Sequence, residues 1–310
     1  MRNKITVVGA GNVGASCAAW LAERDLGDIV LVDIPQTEAM PKGKALDITQ
    51  SGPVLGFDTR VTGTTSYDET ANSDVVVITA GVPRKPGMTR EDLVGVNQNI
   101  ISGIINNITN TSPNAIIIVV TNPLDTMMYL AYKKAGLPRH RIMGQAGILD
   151  SARMATFIAM ELNVSVSSVQ ASVMGGHGDE MVPLVRYSTV AGIPITQLIS
   201  AERIAAIVDR TRKGGGEIVS LLKTGSAYYA PGASAGQMVE AILKDKKLVV
   251  PVSTYLDGEY GLKDICFGVP VKLGRDGIEQ IYQVELNDQE RAMLEKSVEL
   301  IRGTMSALRL

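Results

Sequence analysis

The 310-residue chain is 45% hydrophobic and 20% charged, with a formal net charge of −2, which describes an ordinary globular protein long enough for two domains. That balance excludes a basic nucleic-acid footprint and a polybasic membrane patch. Two cysteines, Cys17 and Cys266, in no CxxC pair rule out a disulfide framework and suit a reducing cytoplasm. Met1-Arg2-Asn3-Lys4 runs straight into a strand, not a secretory leader. The longest apolar run, Ala115 to Val120, falls well short of the about 20 residues a membrane helix needs. A cytoplasmic protein with no nucleic-acid or membrane partner is expected.

Ile5-Thr6-Val7-Val8 is a short β-branched run. It leads into Gly9-Ala10-Gly11-Asn12-Val13-Gly14 and then an Ala-rich, helix-like stretch from Ala15 to Glu23. Asp28 to Val32 is a second strand, ending on the acid Asp33. A GxGxxG alone is weak, but strand, GxGxxG, helix, strand and acid together form a dinucleotide-binding pattern. Gly9 permits the tight turn, Gly11 lets a pyrophosphate approach the backbone, and Gly14 lets helix and strand pack closely. The helix N-terminus offers the phosphates unpaired N–H groups and a positive dipole end. Asp33 is expected to accept hydrogen bonds from both ribose hydroxyls and to repel a 2′-phosphate, so NAD is expected over NADP.

Asp74 to Ala80 and Ala115 to Thr121 are continuous apolar strands of the kind buried on both faces of a parallel sheet. Between them, Arg90 to Thr109 reads as helix, with Leu93, Val96, Ile100, Ile104 and Ile108 at spacings of three and four. The alternation predicts an α/β, Rossmann-type doubly wound parallel sheet. Ligands in such sheets sit at the carboxyl ends of strands. Those ends are Gly9-Ala10-Gly11, Asp33, Gly81-Val82-Pro83 and Thr121-Asn122-Pro123. The segment from Val82 to Arg90, with Pro83, Pro86 and Gly87, reads as a loop and a lid. Its Arg84 and Arg90 either clamp an anion or form a solvated basic turn. Asn122 either hydrogen-bonds a substrate oxygen or caps the next helix, Leu124 to Ala135. Leu137-Pro138-Arg139-His140-Arg141 reads as a surface connector.

The character changes after about residue 150, and residues 1–145 are expected to form the nucleotide-binding domain and 146–310 an α+β catalytic domain. Asp150 and Arg153 start a long helix three residues apart, as a local salt bridge or as an acid meeting the helix dipole. Val169 to Met174 and Pro183 to Val190 read as strands or irregular pieces around Gly175-Gly176-His177-Gly178. Ala201 to Leu222 reads as helix with a kink or break at Gly214-Gly215-Gly216. Ser234 to Lys244 reads as another helix. Leu248 to Tyr255, Ile265 to Lys272 and Ile278 to Val284 read as antiparallel strands joined by Gly-containing turns. Asn287 with Glu290 is a capping-box start for a last helix with Leu294, Val298, Ile301, Met305 and Leu308 on one stripe.

Of the two histidines, His140 and His177, only the second sits among glycines that let a ligand come close. Oxidising a secondary alcohol needs a base for the hydroxyl proton while NAD+ takes the hydride, and His177 is the neutral-pH candidate. A carboxylate on its other ring nitrogen would fix the tautomer. Asp150 is the candidate, ahead of Asp179, which lies only two residues along. An arginine can hold a substrate carboxylate through two parallel bonds.

These motifs together, GxGxxG with Asp33, PRKPGMTR, TNP, ILDSAR and GGHGDEMVP, resemble the lactate/malate dehydrogenase family over essentially the whole chain. The resemblance implies His177 as proton acceptor and donor, Asp150 as its partner, and Arg153 on the substrate's C1 carboxylate. It implies Arg90 polarising the carbonyl from a closing loop and Asn122 touching substrate and cofactor. Asn97 and the Val120-Thr121-Asn122 backbone would meet the nicotinamide half of NAD. The position of Arg84 reads the substrate's far end. Arginine there resembles malate-specific members, where lactate-specific ones usually carry glutamine. Two charge-assisted bonds of roughly 1.5–3 kcal/mol each favour a dicarboxylate by about 10²- to 10⁴-fold. The expected reaction is therefore malate + NAD+ ⇌ oxaloacetate + NADH + H+, in a homo-oligomer, a tetramer ahead of a dimer, with no metal. Three alternatives stand beside it. A lactate or broad 2-hydroxy-acid dehydrogenase is opposed by Arg84. An NAD-dependent glycosidase would need a Cys/His metal site. A catalytically silent NAD-binding protein would have no reason to keep acid, base and arginines together.

Overall fold

The computed structural model describes residues 2–37, 39–83 and 89–309, with the backbone alone at residue 90. β1 (Lys4–Val8), α1 (Asn12–Glu23) and β2 (Asp28–Val32) follow the expected order. α2 (Ala39–Leu55) and β3 (Val61–Thr64) come next and were not legible in the sequence. The reason lies in α2 itself. It buries only Pro41, Ala45, Ile48 and Gly52, while Leu46, Val54 and Leu55 face out, so no apolar stripe forms. β4 (Val75–Ile78), α3 (Arg90–Thr111), β5 (Ile116–Val119), α4 (Leu124–Ala135) and β6 (Ile142–Gly144) complete the first half.

These strands run parallel in the order β3-β2-β1-β4-β5-β6. β4 and β5 are buried at every position, which is why they read as unbroken apolar runs. The chain reverses its winding direction at β1. That leaves a crevice between the carboxyl ends of β1 and β4, where ligands of such sheets bind. On α3 the buried face is Leu93, Val94, Asn97, Ile101, Ile104, Ile105 and Ile108, while Val96 is 39% exposed. Of the expected stripe, Leu93, Ile104 and Ile108 are buried and Ile100 is half-buried, while Val96 faces out. A polar residue, Asn97, occupies the buried position that the apolar pattern would fill.

The second half contains α5 (Gly147–Leu162), β7 (Val169–Gln170), β8 (Val173–Gly175), β9 (Met181–Pro183), β10 (Thr189–Val190) and β11 (Ile193–Pro194). Then follow α6 (Ala201–Leu222), α7 (Tyr229–Leu243), β12 (Leu248–Asp257), β13 (Lys263–Gly274), β14 (Gly277–Ile281) and α8 (Asp288–Met305). β12, β13 and β14 form the antiparallel set read from the sequence. β12 also pairs with β6 through Ser253 and Gly144, and β13 with β8 through Gly268 and Gly175. One eleven-stranded sheet thus runs through both halves, and the division expected at 145/146 falls between β6 and α5.

Two expectations need correction. α6 runs unbroken through Gly214-Gly215-Gly216. Gly214 serves packing, since a Cβ there would lie 3.3 Å from Cδ of Arg153; one on Gly215 would make an ordinary contact with its Nη2 at 3.6 Å, and one on Gly216 would meet nothing within 4 Å. The next helix begins at Tyr229, a turn before Ser234, with Pro231 in its first turn where the missing N–H costs nothing. α8 starts with both bonds of the capping box, Glu290 N–H to Asn287 Oδ1 at 2.8 Å and Asn287 N–H to Glu290 Oε2 at 2.9 Å.

Candidate active site

A cleft of about 850 Å³ brings the two halves of the chain together. One wall carries Gly11, Asn12, Val13 and Gly14; another carries Val120, Thr121 and Asn122; the far part holds Arg153, His177 and Asp179. Its size is that of a small-molecule or cofactor site.

The glycine-rich wall is shaped by close contact. A Cβ on Gly14 would sit 1.8 Å from the carbonyl oxygen of Gly9, so α1 can approach β1 only through glycine. A Cβ on Gly11 would meet nothing within 4 Å, so that position opens onto the cleft. α1 has no side-chain cap and no acid in its first turn. Its first helical bond is donated by Ala15, so the N–H groups of Asn12, Val13 and Gly14 stay available to an anion. Asp33 closes the end of β2. It accepts the N–H of Ala10 at 2.6 Å and of Ile34 at 2.7 Å, and each oxygen keeps a lone pair for another donor. This chemistry fits a dinucleotide diphosphate with a free ribose diol.

Asn97 does not line the cleft. Its Oδ1 accepts the N–H of Val82 at 2.8 Å, and its Nδ2 donates to the carbonyls of Val82 (3.2 Å) and Asn122 (2.7 Å). Its amide therefore ties the exit of β4 to the exit of β5 from behind. Thr121 Oγ1 donates to the Ala80 carbonyl at 2.6 Å and ties the same two exits again. Asn122 is exposed at the cleft, and the helix after it has no side-chain cap, which removes the capping reading. Arg84 and the side chain of Arg90 lie outside the described residues.

His177 follows β8 and sits on a turn begun by Gly175, whose φ of +92° favours glycine. Its Nδ1 lies 2.9 Å from Oδ2 of Asp150. An ionised carboxylate only accepts, so Nδ1 carries the proton and Nε2 presents its lone pair. Burial pushes the His177 pKa down, but the charge of Asp150 and its hydrogen bond outweigh this and hold it above the usual value. Asp150 also accepts from Nη1 of Arg153 at 3.1 Å, so the local salt bridge and the His-orienting role coexist. Nε of Arg153 is buried without a partner, which leaves the guanidinium donors to spare. Asp179 is exposed beside the cleft and is not the partner of His177.

Two residues of this assembly were missed. Asp125, in the first turn of α4, accepts the backbone N–H of His177 at 2.8 Å and the hydroxyl of Ser253 at 2.7 Å. Burial pushes its pKa up, while Ser253 and the His177 N–H pull it back. Ser297 of α8 accepts the N–H of Gly176 at 2.9 Å. The available signal was an acid in a segment, Leu124 to Ala131, that is otherwise mostly apolar and buried throughout. Cys17 and Cys266 lie in α1 and β13, buried and free; burial pushes the Cys17 thiol up to about 12 and Cys266 well up. Neither joins His177 in a metal site.

Models of the lactate/malate dehydrogenase NAD-binding domain and of the lactate/malate dehydrogenase α/β C-terminal domain match residues 3–144 and 148–307. A malate dehydrogenase of Roseiflexus sp. (strain RS-1) is 59% identical over 309 residues, covering 100% of this chain and 99% of that one. The solved malate dehydrogenase of Salinibacter ruber superposes with a TM-score of 0.93 at 52% identity, covering 98% of this chain and 97% of that one. The lactate dehydrogenase of Cryptosporidium parvum, solved with lactic acid and NAD, gives a TM-score of 0.95 at 41% identity, covering 99% and 98%.

Proposed function

The chain belongs to the lactate/malate dehydrogenase family, and from that premise we propose that it is an NAD-dependent malate dehydrogenase, interconverting (S)-malate and oxaloacetate. The observation that carries the reading is His177, Asp150 and Arg153 in one cleft with the uncapped, glycine-lined start of α1.

NAD, when bound, accepts the hydride from C2 of malate or returns it to oxaloacetate. Gly9 to Gly14 and Asp33 would hold its diphosphate and adenosine ribose, and Val120, Thr121 and Asn122 would meet its nicotinamide half. Asn97 supports that wall through its bonds to Val82 and Asn122. His177 takes the malate hydroxyl proton at Nε2 and gives it back in the reverse direction. Asp150 holds the tautomer and stabilises the imidazolium. Arg153 binds the C1 carboxylate with its spare donors. Arg90 polarises the carbonyl, and Arg84 binds the second carboxylate.

Higher identity to a malate dehydrogenase than to the lactate dehydrogenase supports the dicarboxylate. Initial rates of NADH loss with oxaloacetate and with pyruvate test it, on wild type and Arg84→Gln. Oxaloacetate is expected to win by roughly 10²-fold or more, and the variant to lose that preference. A wild type that prefers pyruvate sinks the malate assignment. Turnover of neither, with NADH still bound, sinks the dehydrogenase itself.

We further place the enzyme in the cytoplasm, where two buried free thiols persist. It is a homo-oligomer, a tetramer ahead of a dimer. Val54 at 84% exposure, Tyr229 at 74% and Met160 at 64% are apolar side chains that a partner copy would cover.

A further inference from the structure

Asp125 has no part in the chemistry assigned above, yet it is a buried carboxylate at the junction of three elements. It starts α4 in the nucleotide-binding half. It accepts from Ser253 of β12, and it accepts from the backbone N–H of His177. Ser253 in turn sits where β12 pairs with β6, the seam between the two halves. The seam, the carboxylate and the base are therefore linked by two short bonds of 2.7 and 2.8 Å. Burying a carboxylate is costly unless donors surround it, so an acid at this place needs a reason. The positive end of α4 and the two donors oppose the burial that pushes its pKa up.

We propose that Asp125 is a positioning residue for the dehydrogenase reaction: it fixes the His177 backbone against the Ser253 seam and sets a second carboxylate beside the imidazole. This rests on the reading of His177 as the acid–base group. Asp150 holds the ring and Asp125 holds the main chain, so His177 is fixed at both ends. The other charged groups around the turn are Arg153 of α5, Asp179 and Glu180 of the turn itself, and Lys296 of α8, which pairs with Glu180 at 3.0 Å. Arg212 of α6 lines the same cleft. Among the described residues, Asp125 is the charged group whose side chain meets the main chain of His177, at its N–H.

Asparagine separates position from charge. In Asp125→Asn, Oδ1 still accepts the His177 N–H and Nδ2 donates to the Ser253 hydroxyl, so both bonds persist without the charge. In Asp125→Ala both bonds and the charge are lost. The first measurement is the titration of the two histidines by NMR on ¹³C-histidine protein, which needs no turnover. The second is kcat and KM for malate, with NADH binding by fluorescence.

The His177 midpoint is expected to fall by roughly 0.5–1 pH unit in Asp125→Asn, below the effect of a carboxylate in direct contact with the ring. The asparagine variant should keep most of the plateau kcat. The alanine variant should lose it by roughly 10- to 100-fold, with NADH affinity intact. If the alanine variant does not fold, Ser253→Ala replaces it; freeing one oxygen of Asp125 from the seam should lower kcat in the same direction, with NADH affinity intact. An unmoved midpoint in the asparagine variant, or wild-type kcat in the alanine or Ser253→Ala variant, overturns the proposal. A wild type that turns over no malate while its His177 midpoint still responds to Asp125→Asn breaks the malate reading and leaves the linkage standing.

Discussion

Oδ2 of Asp150 lies 2.9 Å from Nδ1 of His177. The other oxygen of the same carboxylate holds Nη1 of Arg153 at 3.1 Å. One buried acid on the first turn of α5 therefore holds the His177 imidazole and the Arg153 guanidinium together. Asp150 and Arg153 share that rigid helix, and the carboxylate ties the His177 turn to it.

That relationship makes a pH prediction for Asp150→Asn. In the wild type Asp150 outweighs burial and holds the His177 midpoint above 6.5. Malate oxidation needs neutral imidazole, so kcat/KM falls as pH drops through that midpoint. Oxaloacetate reduction needs imidazolium, so kcat/KM falls as pH rises through it. Without the carboxylate charge, burial dominates and the midpoint drops. Both limbs then move to lower pH, and the plateau falls by roughly 10²- to 10⁴-fold. Profiles in both directions check this; limbs that stay in place would mean that Asp150 does not set the basicity of His177.

Arg153 is 14% exposed, and its Nε is buried without a partner. Arg153→Lys keeps the charge and loses the planar fork. The loss of one charge-assisted bond, about 1.5–3 kcal/mol, lowers kcat/KM for malate by roughly 10- to 100-fold. NADH affinity should not change. A parallel loss of NADH binding would place Arg153 on the cofactor instead.

Gly11 and Gly14 should separate ligand binding from folding. A methyl group at residue 11 meets open space, so Gly11→Ala should melt like the wild type while binding NADH more weakly. A methyl group at residue 14 would overlap the Gly9 carbonyl, so Gly14→Ala should cost several kcal/mol of stability. Thermal melts with and without NADH distinguish the two. Equal melting losses in both variants would contradict the assignment of Gly11 to the ligand.

Gly214→Ala tests why that glycine stands in an unbroken helix. Alanine in a helix gains roughly 0.5–1 kcal/mol over glycine, which offsets the tight approach to Arg153. Melting should change little, while KM for malate rises because Arg153 is displaced. An unchanged KM would mean that Arg153 has room to spare.

Much of the first half was legible before any coordinates. β1, α1 and β2 carry hydrophobic periods, glycine spacing and a terminal acid that have one common explanation. α2 was not legible, because Leu46, Val54 and Leu55 face outward and blur its period. On α3, buried Asn97 breaks the apolar stripe, since its amide binds the backbone of Val82 and Asn122. The glycines of α6 looked like a break because the reason for Gly214, Arg153, lies on another helix.

Local order and chemical inventory were thus determined by the sequence itself: periodicity depends on neighbours three or four residues apart, and a lone histidine among glycines is visible as such. Only the tertiary structure decided which groups meet. Asp125 reaches the His177 main chain because β12 joins β6 at Ser253 and β13 joins β8 just before the turn. That pairing is set by packing across the whole sheet, and the segments that supply it are far apart along the chain.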